Sequence, residues 1–587
     1  MSTVKILQGI LKGGEAETDN GFKYHQFLGV PYAKPPVGEL RFKSPQPPES
    51  WEGIRDATKI TESNVSCQID FKTRNFIGSE DCLYLNVYTP ELPTPVNEKL
   101  PVMVFIHGGG FRGKNGILKD DAGPDFMIES NVVIVTINYR LSVFGFLSLD
   151  IPEAAGNMGL KDQVKALEWV NKNIEYFNGD SNNVTVFGSS AGATSSEYLL
   201  FSPTAKGLYH KAILQSGSAF NFYALNKNPK KTAEELLNNL DYKGSRDNVH
   251  EILEYLLKVS AEDLVYACTN ASPNYDPKKL NFGFVPIIEN DYGNGEAFLT
   301  TSPVNLIKQG KFNKVPVIKG FSNKEASLRN MLGSNSVQEL ANNKNFVDCF
   351  PFDFDSKDHN LFKNKFHEAY VDNNTTAEDL YEMALDFFSD LDFISGIWIS
   401  GKFLANAGFP LYMYEFSYVG DLNLSQIFKM TLNGAGHTDE CGYLFSSQLG
   451  KLVGSSNEND SFIKKVMVKL WTDFAKTRPD CRCYPLSIPT QGFLRGRNST
   501  WPVAIAWLIS LLSLWKTLSL VEEVVEDTPI SELEEDWLES PVRAALRRVQ
   551  TREWRVLKPI RMSFASRESC AGEMVDYWLQ SLPGISF

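Results

Sequence analysis

Asn183-Val184-Thr185-Val186-Phe187-Gly188-Ser189-Ser190-Ala191-Gly192 is a β-branched, apolar run that ends in a G-x-S-x-G turn. The run predicts a strand and the residues after it, Ala191 to Leu200, a helix. A serine at the centre of so tight a strand-to-helix turn sits at strained backbone angles, and small residues two positions either side let strand and helix approach closely. The hydroxyl of Ser190 is thereby lifted clear of a sheet, which makes it the candidate nucleophile. A Gly/Ser-rich loop with a solvated serine is the alternative, and the flanking strand and helix argue against it.

A serine hydroxyl needs a base, a group that orients the base, and donors for a developing alkoxide. Upstream, the apolar strand Val102-Met103-Val104-Phe105-Ile106 runs straight into His107-Gly108-Gly109-Gly110-Phe111. Three glycines let backbone N–H groups face one point without side chains in the way. With only seven histidines in the chain, the search for a base is short. His437 stands in Asn433-Gly434-Ala435-Gly436-His437-Thr438-Asp439-Glu440, after the strand-like Leu411-Tyr412-Met413-Tyr414-Glu415-Phe416, and nearby glycines let its ring project from a loop. His25, His107, His210, His250, His359 and His367 precede the acid candidate or lie in plain helical or surface contexts. That acid is Glu325, just past the buried-strand pattern Val315-Pro316-Val317-Ile318-Lys319-Gly320. A lone glutamate after a strand is ordinarily a solvated group, so Glu325 rests on the order Ser190, Glu325, His437, the chain order of an α/β-hydrolase.

Longer stretches carry a family likeness: Gly29-Val30-Pro31-Tyr32-Ala33-Lys34-Pro35-Pro36-Val37-Gly38-Glu39-Leu40-Arg41-Phe42, Ser79-Glu80-Asp81-Cys82-Leu83-Tyr84-Leu85-Asn86-Val87-Tyr88, Asn138-Tyr139-Arg140-Leu141, Gly156-Asn157-Met158-Gly159-Leu160-Lys161-Asp162-Gln163 and Gln215-Ser216-Gly217-Ser218. On these the chain resembles the type-B carboxylesterase/cholinesterase family, most closely an insect alpha-esterase, over about residues 20–477. The resemblance implies an α/β-hydrolase fold with a large mixed, mostly parallel sheet flanked by helices. It also implies a serine esterase with Ser190 as nucleophile, His437 as base, Glu325 as acid, and Gly109, Gly110 and Ala191 as oxyanion donors. Cys67 and Cys82 occupy positions that form a disulfide in secreted relatives.

The chain departs from the family pattern in three places. Ser189 stands where many members carry glutamate or glutamine, and Ala326 replaces the glycine that usually follows the acid. The segment between Cys67 and Cys82 contains no tryptophan. A quaternary ammonium is held by an aromatic face, so that last departure argues against a cholinesterase. The expected substrate is an uncharged, hydrophobic ester of small size, taken with the broad specificity of a detoxifying enzyme that organophosphates also engage. Phe111, Phe220, Phe222 and Tyr223 are the pocket candidates, with core packing as their alternative. A catalytically silent adhesion module and a hormone- or pheromone-specific esterase are the competing readings.

Composition agrees. The 587 residues are 43% hydrophobic and carry a net charge of −13, enough to bury a large core and too acidic for a phosphate-binding face. Nucleic acid is therefore not an expected partner. The chain lacks a nucleotide-binding glycine loop, an H-E-x-x-H and Cys/His sets at zinc spacing, so neither cofactor nor metal is expected. Gly159 to Ile174, with Leu160, Val164, Leu167 and Ile174 on one face, predicts a core helix.

The N-terminus enters strand-like sequence without an apolar signal core, which favours the cytoplasm, with secretion as the alternative. Residues 1–477 are expected to form one hydrolase domain, closing with the helix of Phe462, Val466, Leu470 and Phe474. Residues 478–587 form an atypical tail of a Cys/Pro-rich link, an apolar run Trp501 to Leu520, an acidic block and a basic block. About 20 apolar residues can span a bilayer; Pro502, three serines and Lys516 speak against a membrane anchor here.

Overall fold

Leu100–Ile106 shows how the sheet is built: Val102, Val104 and Ile106 enter one hydrophobic cluster, Met103 and Phe105 the other. Side chains alternate across a strand, so a continuous apolar run is a strand covered on both faces. Val133, Val135 and Ile137 oppose Ile134 in the same way, and Val184 and Val186 oppose Phe187. The computed structural model describes residues 2–71, 73–118, 122–269, 275–276, 280–342, 376–446, 457–477 and 559–562.

Among these residues the main sheet has twelve strands: β1 (Ser2–Ile6), β2 (Gly9–Glu17), β3 (Lys23–Pro31), β4 (Ile54–Ala57), β5 (Tyr84–Thr89), β6 (Leu100–Ile106), β7 (Val133–Ile137), β8 (Gly179–Ser189), β9 (Lys211–Gln215), β10 (Val317–Ser322), β11 (Leu411–Phe416) and β12 (Pro559–Met562). Their order is β1-β2-β3-β5-β7-β6-β8-β9-β10-β11-β12, with β4 beside β2. Pairing is antiparallel from β1 through β7 and parallel from β7 through β12. The helices that matter here are α1 (Met158–Asn173), α2 (Ala191–Phe201), α3 (Ser327–Met331), α4 (Ala377–Ser389), α5 (Ser395–Asn406) and α6 (Glu458–Lys476).

The amphipathic stretch expected from Gly159 is α1, and its Leu160, Val164 and Leu167 lie in the core. It also carries Asp162, fully buried, which takes a two-pronged ion pair from Arg140 at 2.8 Å on each oxygen and the Arg140 backbone N–H at 3.0 Å. The pair ties the turn after β7 to α1. Asp162→Asn leaves the guanidinium buried without its counter-charge, so a loss of about 3–5 kcal/mol is expected in a urea unfolding curve. An unchanged midpoint would show that the turn is held by other contacts.

Cys67 and Cys82, the expected disulfide pair, are both buried, stand as free thiols in the structure and line one small cavity. Burial raises both, Cys67 well above the usual thiol range and Cys82 to about 12. Apart from β12, which adds a parallel edge strand to β11, the tail from residue 478 lies outside the described residues, as do His359, His367, Cys349 and the run Trp501 to Leu520. No described helix is long and apolar enough to cross a membrane.

Candidate active site

In an open parallel sheet, loops that leave the carboxyl ends of the strands share one edge. Here that edge receives the loop after β6, the turn after β8, the turn after β10 and the loop that follows β11. Each carries one part of the expected site.

The turn after β8 is as tight as its sequence requires. A Cβ on Gly192 would stand 2.0 Å from the Ile106 carbonyl oxygen, and one on Gly188 2.5 Å from Gly192. Ser190 itself has φ 59° and ψ −124°. Its N–H donates to the Gln215 carbonyl at 2.8 Å, so the neighbouring strand β9 holds the strained residue in place.

His437 joins the two other candidates. Its Nε2 lies 2.9 Å from Ser190 Oγ and its Nδ1 2.5 Å from Glu325 Oε2. All three side chains are buried, with Ser190 9% exposed, which leaves the hydroxyl a narrow approach. Glu325 is fully buried, and its other oxygen, Oε1, accepts the Ser322 N–H at 2.7 Å. With one oxygen held by β10 and the other by the imidazole, the carboxylate has a fixed orientation, and Nδ1 donating to it leaves Nε2 free to accept from Ser190.

Supports that the sequence reading did not name surround the histidine. The His437 N–H donates to Ser327 Oγ at 2.8 Å, binding its loop to α3, and Lys324 N–H donates to the Ala435 carbonyl at 2.8 Å. Asp439 accepts from Gly436 N–H, Ser425 N–H, Ser425 Oγ and Asn423 Nδ2, and so closes the loop on itself. Two adjacent acids in the apolar setting Thr438-Asp439-Glu440-Cys441 were the available signal. Glu440 is buried as well, and burial followed by the Glu325 charge pushes it up to about 7.

The glycine loop lies against the serine turn. A Cβ on Gly108 would stand 2.5 Å from the Ser189 carbonyl oxygen and 3.0 Å from Ser190 Cβ. Gly109 and Gly110 have φ of 100° and 62°, in the left-handed region where glycine is favoured, and this folds the loop over Ser190. Ala191 is the first residue of α2, whose N-terminus adds the favourable end of a helix dipole.

Of the pocket candidates, Tyr223 reaches the site: its ring contacts Phe393 at 5.5 Å and Phe282 at 5.7 Å, and its hydroxyl pairs with Thr194 Oγ1 at 3.0 Å. Phe393 in turn packs on His437, and a Cβ on Gly110 would touch the Phe282 ring at 3.3 Å. Phe111 instead packs edge-on to Phe146, and Phe220 stacks on Phe403. Phe222 is half-buried beside a separate small cluster under α4. Phe393 therefore stands against the histidine, and Tyr223 and Phe282 continue the aromatic wall behind it. Among the described residues, no group of three or more His, Cys, Asp or Glu side chains is placed to hold a metal ion.

The carboxylesterase family model matches residues 1–503, past the Thr477 at which the likeness in the motifs ends. Juvenile hormone esterase of Tribolium castaneum is 35% identical over 490 residues, spanning 80% of this chain and 82% of its own length. Esterase FE4 of Myzus persicae is 35% identical and spans 81% of this chain and 84% of its own. The crystal structure of juvenile hormone esterase from Manduca sexta, with OTFP covalently attached, matches with a TM-score of 0.69 at 29% identity, covering 81% of this chain and 90% of that one.

Proposed function

This chain belongs to the carboxylesterase family, has the α/β-hydrolase fold and is a carboxylic-ester hydrolase; from that premise we propose that it acts through an acyl-enzyme on Ser190. The observation that carries the proposal is the buried chain from Ser190 Oγ to His437 Nε2 at 2.9 Å and from His437 Nδ1 to Glu325 at 2.5 Å.

In the proposed cycle Ser190 Oγ attacks the ester carbonyl carbon as its proton passes to His437 Nε2. Gly109, Gly110 and Ala191 N–H groups take the tetrahedral oxyanion. The imidazolium then protonates the departing alcohol oxygen as the C–O bond breaks, and a water that yields its proton to His437 cleaves the acyl-enzyme. Glu325, bonded to Nδ1, stabilises the imidazolium.

The substrate class we propose is a small, uncharged, hydrophobic ester, handled with the broad specificity suited to detoxification; an organophosphate would phosphorylate the same serine. The aromatic wall of Phe282, Tyr223 and Phe393 supports this, because it offers apolar contact and no ionic partner. Juvenile hormone is the second substrate reading, favoured by the relatives from Tribolium castaneum and Manduca sexta.

One assay separates these readings. Purified protein is expected to hydrolyse a short-chain nitrophenyl ester with kcat/KM above that for juvenile hormone. The reverse ranking would select the hormone reading. Absence of turnover on both substrates would overturn the acyl-enzyme proposal.

A further inference from the structure

Between α4 and α5 the helix takes one wide turn, Asp390–Ile394, in which the Ser395 N–H donates to the Asp390 carbonyl five residues back. An α-helix spaces its bonds by four. The wider spacing adds a residue to the turn, changes the direction in which the following side chains point, and is found mostly as single turns, frequently at functional sites.

Three buried groups hold this turn. Asn221 Nδ2 donates to the Asp392 and Phe393 carbonyl oxygens, both at 2.9 Å. Gly396 leaves room for that amide, since a Cβ there would stand 2.5 Å from Asn221 Nδ2. Arg329, on α3 just after the Glu325 turn, grips Asp392 with Nε at 2.6 Å and Nη2 at 2.8 Å. The residue so placed is Phe393, fully buried, its ring centroid 4.6 Å from that of His437 and tilted by 41°.

We infer that the wide turn Asp390–Ile394 is a positioning element for His437: it sets the Phe393 ring against the imidazole, and Asn221 and Arg329 hold it in that register. The inference rests on the proposed role of His437 as base and deepens it. Glu325 fixes the imidazole along its Nδ1 bond only, and rotation about that bond is stopped by a wall at the ring face. The same ring presents its π face to a cation when His437 takes the serine proton, and such contacts are favourable in a desolvated site. The charged groups around the ring are Glu325 on Nδ1, Glu440 behind Glu325, and Asp439 closing its loop. On the Phe393 side Asp392 is neutralised by Arg329.

The test compares Phe393→Leu, Phe393→Tyr and Gly396→Ala with the wild-type enzyme on a nitrophenyl ester. Phe393→Leu keeps an apolar side chain and removes the ring, so kcat is expected to fall about 5- to 30-fold, the range of a buried cation–π contact, with KM little changed. The acid limb of its kcat/KM profile is expected to move to lower pH, because the imidazolium loses the ring face. Phe393→Tyr keeps that face and should restore both kcat and the acid limb. Gly396→Ala would drive its Cβ against Asn221 Nδ2 and the Phe220 carbonyl oxygen and free the two carbonyls that Asn221 holds, so kcat and melting temperature should fall together. An unmoved acid limb in Phe393→Leu, or equal losses in the Leu and Tyr variants, would reduce Phe393 to space filling and overturn the inference. A wild-type enzyme without turnover would instead overturn the acyl-enzyme reading, and the inference with it.

Discussion

Ser190→Ala is expected to leave a folded protein that neither turns over a nitrophenyl ester nor takes a covalent label from an organophosphate. The substitution removes one oxygen from a site where the fold does not depend on it. The turn is held by the Ser190 N–H on the Gln215 carbonyl and by the close approach of Gly188 and Gly192, all of which survive. What is lost is the atom proposed to form the acyl bond, so the rate should fall by about 10⁴-fold or more. The residual activity would come from Gly109, Gly110 and Ala191 polarising the carbonyl for attack by water. Mass spectrometry of organophosphate-treated protein is the direct check. A label retained on Ser189 or Ser216 would move the nucleophile and leave the fold argument standing.

Glu325→Gln is expected to cost nearly as much, and the reason lies in the two bonds of the carboxylate. Oε1 accepts from Ser322 N–H and Oε2 faces His437 Nδ1, so both oxygens are acceptors. A glutamine amide has one acceptor and one donor end. If its oxygen stays on Ser322, its NH₂ meets Nδ1 and selects the tautomer with the proton on Nε2, which cannot accept from Ser190. If its oxygen turns to His437, the NH₂ meets the Ser322 N–H and a buried donor is left unpaired. Either way the imidazolium loses its counter-charge, and kcat should drop by about 10⁴-fold with KM nearly unchanged. Single-turnover kinetics would place the loss in acylation and deacylation together. A drop of less than tenfold would hand the orienting role to another carboxylate, of which Asp439 and Glu440 are the nearest in the chain to His437.

How far the sequence could be read differs from residue to residue. Ser190 was legible because the constraint on it is local: a strand, a turn that tolerates only small neighbours, and a helix, all within about 20 residues. The glycine loop was legible for the same reason, and the helix from Gly159 followed from periodicity alone. His437 needed a search among few candidates plus the order of the parts. Glu325 stood out only through that order; its complete burial and its two bonds, which distinguish it from a solvated glutamate, come from β10 ending beside the loop after β11.

Local pattern and motif order thus determined the class of fold and the candidates for nucleophile and base. Tertiary structure alone decided the rest. The sheet places β5 between β3 and β7 and sets β8 beside β6, pairings between strands far apart in sequence, which periodicity cannot rank because every buried strand reads alike. It also decided that Tyr223 packs on Phe393, the ring that touches the histidine, while Phe111 packs on Phe146 and Phe220 on Phe403. The same holds for Arg329 gripping Asp392 and for the wide turn that brings Phe393 to His437. An extra residue in a helical turn leaves no local signature, because its cost is met by partners, here Asn221 and Arg329, that reach it only once the chain has closed.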